Sequence, residues 1–510
     1  MVGMEDFDER YRAVSSRDER FDGMFFTAVR TTRIYCRPSC PATTPLARNV
    51  EFHRTAAAAE AAGFRACRRC RPDSSPGSPE WDVRADAVGR AVRLVRDGVV
   101  EREGVPGLAQ RLGYSERHLN RMITQELGVG PLALAQSQRA RTARLLVETT
   151  DMPMSDVAFA AGFASVRQFN DAFRRAYDRS PREMRRRGAG GSTAGECLRL
   201  RLALRRPFDA DALGGFLADH AVPGLEVGEG RRFARVLSLP HGSAVAELVL
   251  HDDHVACRVQ LQDPRDLTAA VARLRHLLDL DADPVAIDRA LGGEEGGAGD
   301  GGASDGGASD GGAGDLGALV QERPGLRVPG TVDAFETAVR TVVGQQVSVS
   351  GARTVIGRLV AASGETVELP LAQELGLTHA FPTASALAAV DPETLPMPRS
   401  RGRTVVALAR AVDVGDLVLD GGVDRDAVSR ALLAVPGIGP WTVGYVRMRG
   451  LGDPDVLLET DLVLRRILHA RGTTDADVRR WAPWRSYAGM HLWTEHLARQ
   501  ALTTTRGSRA

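Results

Sequence analysis

Four of the six cysteines lie in two close pairs near the start of the chain. Three residues separate Cys36 from Cys40 and two separate Cys67 from Cys70, with 26 residues between the pairs. Each pair can close a small turn, so four thiolates can meet around one ion in the tetrahedral geometry that Zn²⁺ prefers. Disulfides or four unrelated thiols are the alternatives. The spacing predicts one zinc ion held by all four cysteines.

A second candidate for chemistry is a carboxylate that follows a turn rich in glycine and proline. The sequence PGIGP at 436–440 predicts a tight turn between two helices, where Gly437 and Gly439 permit positive φ angles and close approach of another backbone. The second helix, from Trp441, would direct free N–H groups outward, where a phosphate can bind. Asp461 follows twenty residues after Trp441, at the start of a third helical pattern. A carboxylate held there could stabilise a developing cation.

The stretch 432–466 is similar to the helix-hairpin-helix DNA glycosylase superfamily, and most closely to its AlkA-type 3-methyladenine glycosylases. The resemblance extends over residues 329–497 and includes FETAVR at 335–340, GQQVSV at 344–349 and WAPWRSYA at 481–488. It implies excision of alkylated purines of the 3-methyladenine class from DNA. An ordinary helical turn followed by a surface aspartate is the alternative interpretation.

The same resemblance assigns roles to individual residues. It implies that Asp461 is the catalytic carboxylate, which stabilises the cationic sugar and helps to orient water. It implies that Gln346 fills the space left by a base that has been flipped out of the duplex. Aromatic side chains would form a pocket for the cationic base through stacking and cation–π contacts. The remaining positions for binding the base or the DNA are Trp441, Tyr445, Trp493, Gly437 and Gly439.

The sequence contains no lysine, so all 66 basic residues are arginines. A Schiff-base mechanism needs a lysine amine. Bifunctional members of the resembled superfamily carry a lysine at about the position of Trp441, so we expect a monofunctional, hydrolytic enzyme. No four-cysteine cluster follows the hairpin and no Gly-Lys phosphate loop occurs, so we expect neither an iron–sulfur cluster nor a nucleotide cofactor.

The residues around the cysteine pairs resemble the N-terminal domain of Ada-type methylation-response proteins. The matching stretches are FDG at 21–23, CRPSC at 36–40, NVEF at 49–52 and AGFRACRRC at 62–70. In that family the first cysteine is both a zinc ligand and the acceptor of a methyl group from a DNA phosphotriester. The resemblance therefore implies that Cys36 is a stoichiometric methyl acceptor, kept as a nucleophilic thiolate by the metal.

Two helix-turn-helix patterns follow the cysteine-rich region. LAQRLG at 108–113 precedes SERHLNR at 115–121, and VAFAAGF at 157–163 precedes SVRQFN at 165–170. Each has a glycine at the turn and a serine that can cap the next helix. From 84 to 187 there are 19 arginines against 12 acidic residues. The pattern resembles the AraC-type DNA-binding domain; a generic helical bundle is the alternative.

From residue 198 the sequence pattern favours strands instead of helices. Residues 198–204 alternate leucine with polar or small residues, which predicts a half-buried strand. Further strands are predicted at 235–239, 244–250 and 254–261, and a helix at 267–280. This resembles the small α+β domain that precedes the core of AlkA-type proteins. The Gly/Ala/Asp tract that follows can bury too little apolar surface to offset the conformational entropy lost on ordering. We therefore expect it to be disordered.

These patterns together predict a multidomain α+β chain that is mainly α-helical. Its units are an Ada-type zinc and methyl-acceptor domain (1–75), an AraC-type double helix-turn-helix domain (81–187), an AlkA-type N-terminal α+β domain (196–291), a disordered Gly-rich linker (292–317) and an all-α helix-hairpin-helix glycosylase domain (318–505). The predicted function is repair of, and response to, DNA alkylation. The alternative is a methylation-sensing transcription regulator whose glycosylase core only binds DNA.

Partners and location follow from composition and from the resemblance. No run of 18 apolar residues occurs, and the charged start of the sequence lacks the apolar stretch of a signal peptide. We expect a cytoplasmic, nucleoid-associated monomer without membrane contact. Its expected partners are double-stranded DNA, both as alkylated DNA and as a promoter operator, and RNA polymerase.

Overall fold

The computed structural model describes residues 7–17, 21–22, 24–67, 69–70, 72, 86–149, 152–185, 197–292, 316–420 and 422–507. These residues are mainly helical and contain two small sheets, which confirms the predicted fold class. All but the ends of the predicted linker 292–317 lie outside the described residues. Within the described ranges, no helix has both the length and the apolar character needed to cross a membrane.

The first unit packs two helices against a four-stranded sheet. Its elements are α1 (Phe7–Ser15), β1 (Phe26–Val29), β2 (Ile34–Cys36), β3 (Val50–His53), α2 (Ala56–Ala61) and β4 (Arg65–Ala66). The strand order is β3-β1-β2-β4, in which β2 and β4 are parallel and the other pairs are antiparallel. The Thr55 hydroxyl accepts a hydrogen bond from the Ala58 amide and so caps α2. The wholly buried Tyr35 anchors the sheet to the core.

The second unit is helical. Its elements are α3 (Asp86–Arg96), α4 (Val99–Leu112), α5 (Glu116–Leu127), α6 (Pro131–Thr149), α7 (Met154–Ala160), α8 (Val166–Tyr177) and α9 (Pro181–Met184). Gly113 and Gly162 adopt φ angles of 74° and 82° at the two predicted turns. Ser115 and Ser165 then cap α5 and α8 through their side chains. The chain therefore forms both helix-turn-helix units where the sequence predicts them.

The third unit is a five-stranded antiparallel sheet with helices. Its elements are β5 (Leu198–Ala203), α10 (Ala210–Asp219), β6 (Glu226–Glu229), β7 (Arg232–Leu239), β8 (Gly242–Leu250), β9 (His254–Leu261), α11 (Leu267–Leu277) and α12 (Pro284–Gly292). The strand order is β5-β9-β8-β7-β6. The predicted helix 267–280 ends early because Asp279 takes a left-handed φ of 51°. The sequence did not reveal β6, since its residues EVGE lack apolar alternation and the strand forms by pairing with β7.

The last unit is all-helical. Its elements are α13 (Gly317–Glu322), α14 (Ala334–Gly344), α15 (Val349–Ser363), α16 (Pro370–Leu375), α17 (Ala384–Ala388), α18 (Arg399–Asp413), α19 (Arg425–Leu433), α20 (Pro440–Tyr445), α21 (Leu462–Ala470), α22 (Asp475–Arg480) and α23 (Arg485–Gly507). A π-helical turn at Val446–Gly450 continues directly from α20. This turn shifts the residues after Tyr445 relative to a regular helix, and such turns are common at functional sites.

Polar contacts join the second unit to the third and to the all-helical core. The Thr142 and Thr268 hydroxyls lie 2.9 Å apart between α6 and α11. Arg96 forms an ion pair with Asp281 at 3.3 Å. Arg111 forms one with Asp420 at 3.2 Å. The helix-turn-helix unit therefore docks on the part of the chain that carries the predicted glycosylase core.

Candidate functional site

The cysteine pairs meet because two short strands run side by side. Cys36 ends β2 and Cys67 follows β4, and the parallel pairing of Tyr35 with Ala66 places these ends together. The Sγ atoms of Cys36, Cys40, Cys67 and Cys70 all lie within 4.8 Å of one another. Zinc–thiolate bonds of about 2.3 Å in a tetrahedron require sulfur atoms about 3.8 Å apart. The four thiols therefore fit a zinc ion.

Asp22 supports the turn that joins Cys36 to Cys40. Its carboxylate accepts hydrogen bonds from the Ser39 amide at 2.9 Å and the Ser39 hydroxyl at 2.6 Å. It also pairs with the Arg37 guanidinium at 3.3 Å. Cys36 remains partly exposed, whereas the other three cysteines of the cluster are buried. Among these four residues, Cys36 is thus the one with part of its surface open to solvent.

The glycine-rich turn is fixed by Gly437 and by contacts to neighbouring helices. Gly437 has a φ of 90°, and a side chain there would collide with the Thr404 hydroxyl, which donates to the Pro436 carbonyl at 2.9 Å. Gly439 does not use the positive φ that a glycine permits. Its φ is −108° and the space where a side chain would begin is open. Gly439 therefore needs no positive φ, and it leaves the surface before α20 uncovered.

Asp461 caps α21 and contacts two tryptophans. Its Oδ1 accepts from the amides of Val463 at 3.0 Å and Leu464 at 2.9 Å, and from Trp493 Nε1 at 3.4 Å. Its Oδ2 accepts from Trp441 Nε1 at 3.0 Å. Within the described residues Oδ1 therefore has three donors and Oδ2 has one. The carboxylate is held rigidly, with Oδ2 the oxygen that keeps capacity for a further partner.

A cleft of about 220 Å³ lies beside Trp441 and carries a column of stacked groups. Trp441 stacks on Tyr445 with centroids 5.3 Å apart. The Arg449 guanidinium lies 5.5 Å from the Tyr445 ring and 4.7 Å from the Phe216 ring. Phe216 stacks on His220 at 4.1 Å. The column thus joins the all-helical unit to α10 of the third unit, and Arg449 lies in its middle.

The floor of this cleft is a buried ion cluster. Arg235 donates to Glu226 at 2.8 Å and to Glu336 at 2.7 Å. Arg340 donates to the same two carboxylates, each at 2.9 Å. Burial alone would raise the pKa of Glu226, but Arg340 and Arg235 outweigh it and hold that pKa below its ordinary value. Glu226 therefore remains ionised, and the cluster fixes β6 and β7 against α14.

The structure brings together only part of the predicted DNA glycosylase site. Trp441 and Tyr445 line the cleft, whereas Trp493 does not line it and instead contacts Asp461. Gln346 is exposed at the loop before α15 and has a left-handed φ of 55°. Its neighbour Gln345 is half-buried against the hairpin, where its side-chain amide donates to the Thr442 hydroxyl at 2.9 Å.

Sequence reasoning missed Phe216, His220, Arg449 and Gln345. The first two lie on or just after α10, more than two hundred residues before Trp441, so no local spacing connects them to the hairpin. Arg449 offered one signal, because it lies four residues after Tyr445 and can share a helical face with it. Arg449 also donates to the Tyr445 hydroxyl at 2.8 Å.

Both second helices of the helix-turn-helix units present polar side chains to solvent. On α5 the exposed residues include Arg117, His118 and Arg121. On α8 they include Arg167 and Gln168. Guanidinium, imidazole and amide groups can hydrogen-bond to base edges in a DNA major groove. The arrangement suits two recognition helices.

Three family profiles match successive parts of the chain. The metal binding domain of Ada matches residues 9–73, a helix-turn-helix domain matches 108–187, and the AlkA N-terminal domain matches 199–306. A protein of Mycobacterium tuberculosis strain H37Rv, named "Probable bifunctional transcriptional activator/DNA repair enzyme AlkA", is 49% identical over 508 residues, which cover 97% of this chain and 98% of that protein. The chain belongs to the family of this bifunctional AlkA-type protein.

Two proteins of Escherichia coli strain K12 resemble separate parts of the chain. DNA-3-methyladenine glycosylase 2 is 32% identical over 298 residues, which cover 56% of this chain and 94% of that protein. The bifunctional transcriptional activator/DNA repair enzyme Ada is 39% identical over 137 residues, which cover 27% of this chain and 37% of that protein. The predicted fusion of an Ada-type part with an AlkA-type part is confirmed.

Proposed function

We propose that the protein excises alkylated purines of the 3-methyladenine class from double-stranded DNA by hydrolysis, and that its N-terminal half accepts methyl groups and regulates transcription. The observation that carries the first part is the carboxylate of Asp461, held by two tryptophan N–H groups and two backbone amides beside an aromatic cleft. Similarity to the 3-methyladenine glycosylase of E. coli supports the same substrate class.

The proposed reaction uses Asp461 to stabilise positive charge. An alkylated purine already carries a positive charge, so its bond to the sugar breaks readily once the nucleotide is flipped out of the duplex. As the C1′–N bond breaks, the base leaves with the bonding electrons and the sugar becomes cationic. Oδ2 of Asp461 faces this charge, and a water molecule then bonds to C1′ and loses a proton. The products are the free base and an intact abasic site.

Four further residues have proposed binding roles. Trp441 and Tyr445 stack near the flipped base in the cleft. Gln346, exposed at the tip of its loop, enters the space that the base leaves. Gly439 leaves the start of α20 open, so the DNA backbone can approach the hairpin. These are the roles that the glycosylase resemblance implies for these positions.

The test is release of 3-methyladenine from DNA treated with a methylating agent. Wild-type protein should release the base and leave an unbroken abasic site, because the sequence has no lysine to form a Schiff base. No internal covalent adduct should form with borohydride. DNA binding without base release would favour the alternative of a regulator whose core only binds DNA. A borohydride-trapped adduct on an internal residue would exclude the hydrolytic mechanism.

In the N-terminal half we propose that Cys36 accepts the methyl group. Its exposure distinguishes it from the other three thiols of the cluster. One bound zinc ion would be held by all four cysteines and would keep the Cys36 sulfur deprotonated and nucleophilic. The thiolate attacks the methyl carbon of a phosphotriester, the carbon–oxygen bond breaks, and a phosphodiester anion leaves. Cys36 becomes a neutral thioether.

Methylation of Cys36 would then change operator binding. The thioether lacks the negative charge that opposes DNA phosphates, and at contact distance this change alters the binding free energy by about 1–3 kcal/mol. We expect tighter operator binding after exposure to methylated DNA, measured by fluorescence anisotropy. The Cys36→Ser variant should show no such response. Equal affinity of wild-type protein before and after methylation would leave Cys36 with a repair role only.

We also propose partners for the N-terminal half. Alkylated DNA and a promoter operator are both double-stranded DNA, and the exposed residues of α5 and α8 offer groups to read the operator. A monomer in contact with RNA polymerase and associated with the nucleoid would complete the regulator role. Chromatography coupled to light scattering, with and without operator DNA, tests the monomeric state.

A further inference from the structure

The cleft beside Trp441 contains a hydrogen-bond acceptor to which base excision, as proposed above, gives no role. His220 follows α10 and lines the cleft together with Trp441 and Tyr445. Its ring stacks on Phe216 with centroids 4.1 Å apart and planes inclined by 18°. The His220 carbonyl accepts a hydrogen bond from Arg340 at 2.8 Å. Both the ring plane and the backbone of His220 are therefore fixed.

The contacts of His220 determine which ring nitrogen carries the proton. Nδ1 lies 2.8 Å from the Phe216 carbonyl oxygen. Because a carbonyl can only accept, Nδ1 must be the donor, and Nε2 of the neutral ring is then an acceptor. Burial, followed by the positive charge of Arg449, lowers the pKa of His220 to about 4, against smaller opposing effects of the hydrogen bond to the Phe216 carbonyl and of Asp219. The ring is neutral at physiological pH.

Arg353 supplies matching donors next to this acceptor. It lies on α15, lines the same cleft, and donates from Nε to the carbonyl of Ala221 at 2.6 Å. Ala221 is the residue after His220, so Arg353 and His220 are anchored side by side. Within the described residues, the Nη1 and Nη2 atoms of Arg353 form no hydrogen bond.

The other arginines that line the cleft already donate hydrogen bonds to protein groups. Arg340 donates to Glu226, Glu336 and the His220 carbonyl. Arg449 donates to the Pro329 carbonyl at 2.6 Å, the Gly330 carbonyl at 3.1 Å and the Tyr445 hydroxyl at 2.8 Å. Arg353 is therefore the arginine lining the cleft whose guanidinium ends are available to a ligand.

We propose that His220 and Arg353 read an edge of the flipped purine and that His220 makes the cleft favour adenine-type bases. Nε2 of His220 accepts from the exocyclic amino group, and Arg353 donates to the neighbouring ring nitrogen. Adenine presents such an edge, an amino donor at C6 beside the N7 acceptor. Hypoxanthine has a carbonyl oxygen at C6, which the lone pair of Nε2 repels. This inference rests on the proposed excision function and specifies its substrate class.

The experiment compares two substrates under single-turnover conditions. One is methylated DNA that releases 3-methyladenine, and the other is a duplex that contains a single deoxyinosine. The His220→Phe variant retains a ring on Phe216 but has no acceptor. A neutral hydrogen bond corresponds to a change of up to about tenfold in rate. We expect about a tenfold loss of 3-methyladenine release and no loss of hypoxanthine release, which should rise if anything, because the repulsion from Nε2 is also removed.

Two further variants separate recognition from folding. His220→Gln offers an oxygen acceptor and should recover part of the selectivity. Arg353→Met should slow both substrates equally, because both purines carry N7. The control His254→Phe removes an imidazole from β9, where it stacks on His251 at 4.5 Å, and should change neither rate.

The possible results separate failure of this inference from failure of the excision function. Equal loss on both substrates in His220→Phe would show that the residue only supports the cleft, and no loss on either would exclude contact with the base. Both results overturn the inference and leave the excision function intact. If wild-type protein releases neither base, the proposed function itself fails and this inference fails with it. Thermal midpoints of all variants show that each is folded.

Discussion

Trp441 donates its indole N–H to Oδ2 of Asp461 at 3.0 Å, while Oδ1 caps the following helix. The two carboxylate oxygens therefore have different tasks. Oδ1 stabilises α21, and Oδ2 is the oxygen that the proposed reaction uses. Substitutions at this position can separate the two.

Asp461→Ser should separate capping from catalysis. Serine is a good helix cap, so the free energy of unfolding should fall by no more than about 1 kcal/mol. The variant lacks the charge that stabilises the sugar cation, and loss of one such preorganised group costs about 10²–10³ in rate. We expect normal binding to DNA with an abasic analogue and almost no release of 3-methyladenine.

Asp461→Asn provides the matched comparison. If its oxygen keeps the capping position, its amide N–H₂ faces the Trp441 N–H, and two donors are left opposed. This variant should be less stable than Asp461→Ser and equally slow. Adding Trp441→Phe should restore part of its stability. Full activity in either single variant would show that Asp461 serves folding alone.

The two glycines of the hairpin should respond differently to alanine. Gly437→Ala places a side chain at a φ of 90° against the Thr404 hydroxyl and should cost at least about 1–2 kcal/mol of stability. Gly439→Ala meets open space at a φ of −108°, so its stability should be unchanged. Because its methyl group would cover the start of α20, DNA affinity should fall. Equal stability of the two variants in urea unfolding would contradict this assignment.

The cysteine cluster should bind one zinc ion per chain. Cys40→Ala removes a buried ligand and should lose the metal and unfold the first unit, whose core is small. Cys197 lies outside the cluster, so Cys197→Ala should retain the metal. Elemental analysis of protein purified without chelators, together with far-ultraviolet circular dichroism, checks both. Absence of zinc from wild-type protein would refute the site.

Asp279 should make stability depend on pH. Burial raises its pKa to about 7, despite the opposing effects of Arg327 and of the Tyr487 hydroxyl, which donates to it at 2.8 Å. Its unfolded pKa is about 3.9, so the folded state binds the extra proton between these values. The resulting stability is complete below about pH 4 and is lost as pH rises to 7, by up to about 4 kcal/mol.

Asp279→Asn should remove this dependence. Asparagine stays neutral, and it tolerates the left-handed φ of 51° at this position. The thermal midpoint of wild-type protein should fall more steeply from pH 5 to pH 7.5 than that of the variant. His220 and His491, whose pKa values are both lowered to about 4, act in the opposite direction in both proteins and cancel in the difference. Parallel profiles would show that Asp279 remains ionised.

The sequence by itself determined the local features. The spacing of the cysteines, the serine caps at Ser115 and Ser165 and the position of Asp461 before a helix all depend on short stretches of chain. Steric limits on φ and ψ and hydrogen bonds within one turn are enough to fix such features. The resemblance to known families predicted the roles of these residues. The predicted family and the predicted fusion are both confirmed.

Tertiary structure alone decided how the cleft is built. The column from Trp441 to His220 crosses from the all-helical unit to the third unit, which a shared hydrophobic core and the ion cluster of Glu226 and Glu336 hold together. It also decided that Trp493 faces Asp461 rather than the cleft. Contacts over such distances along the chain depend on how whole surfaces pack, which no local spacing encodes.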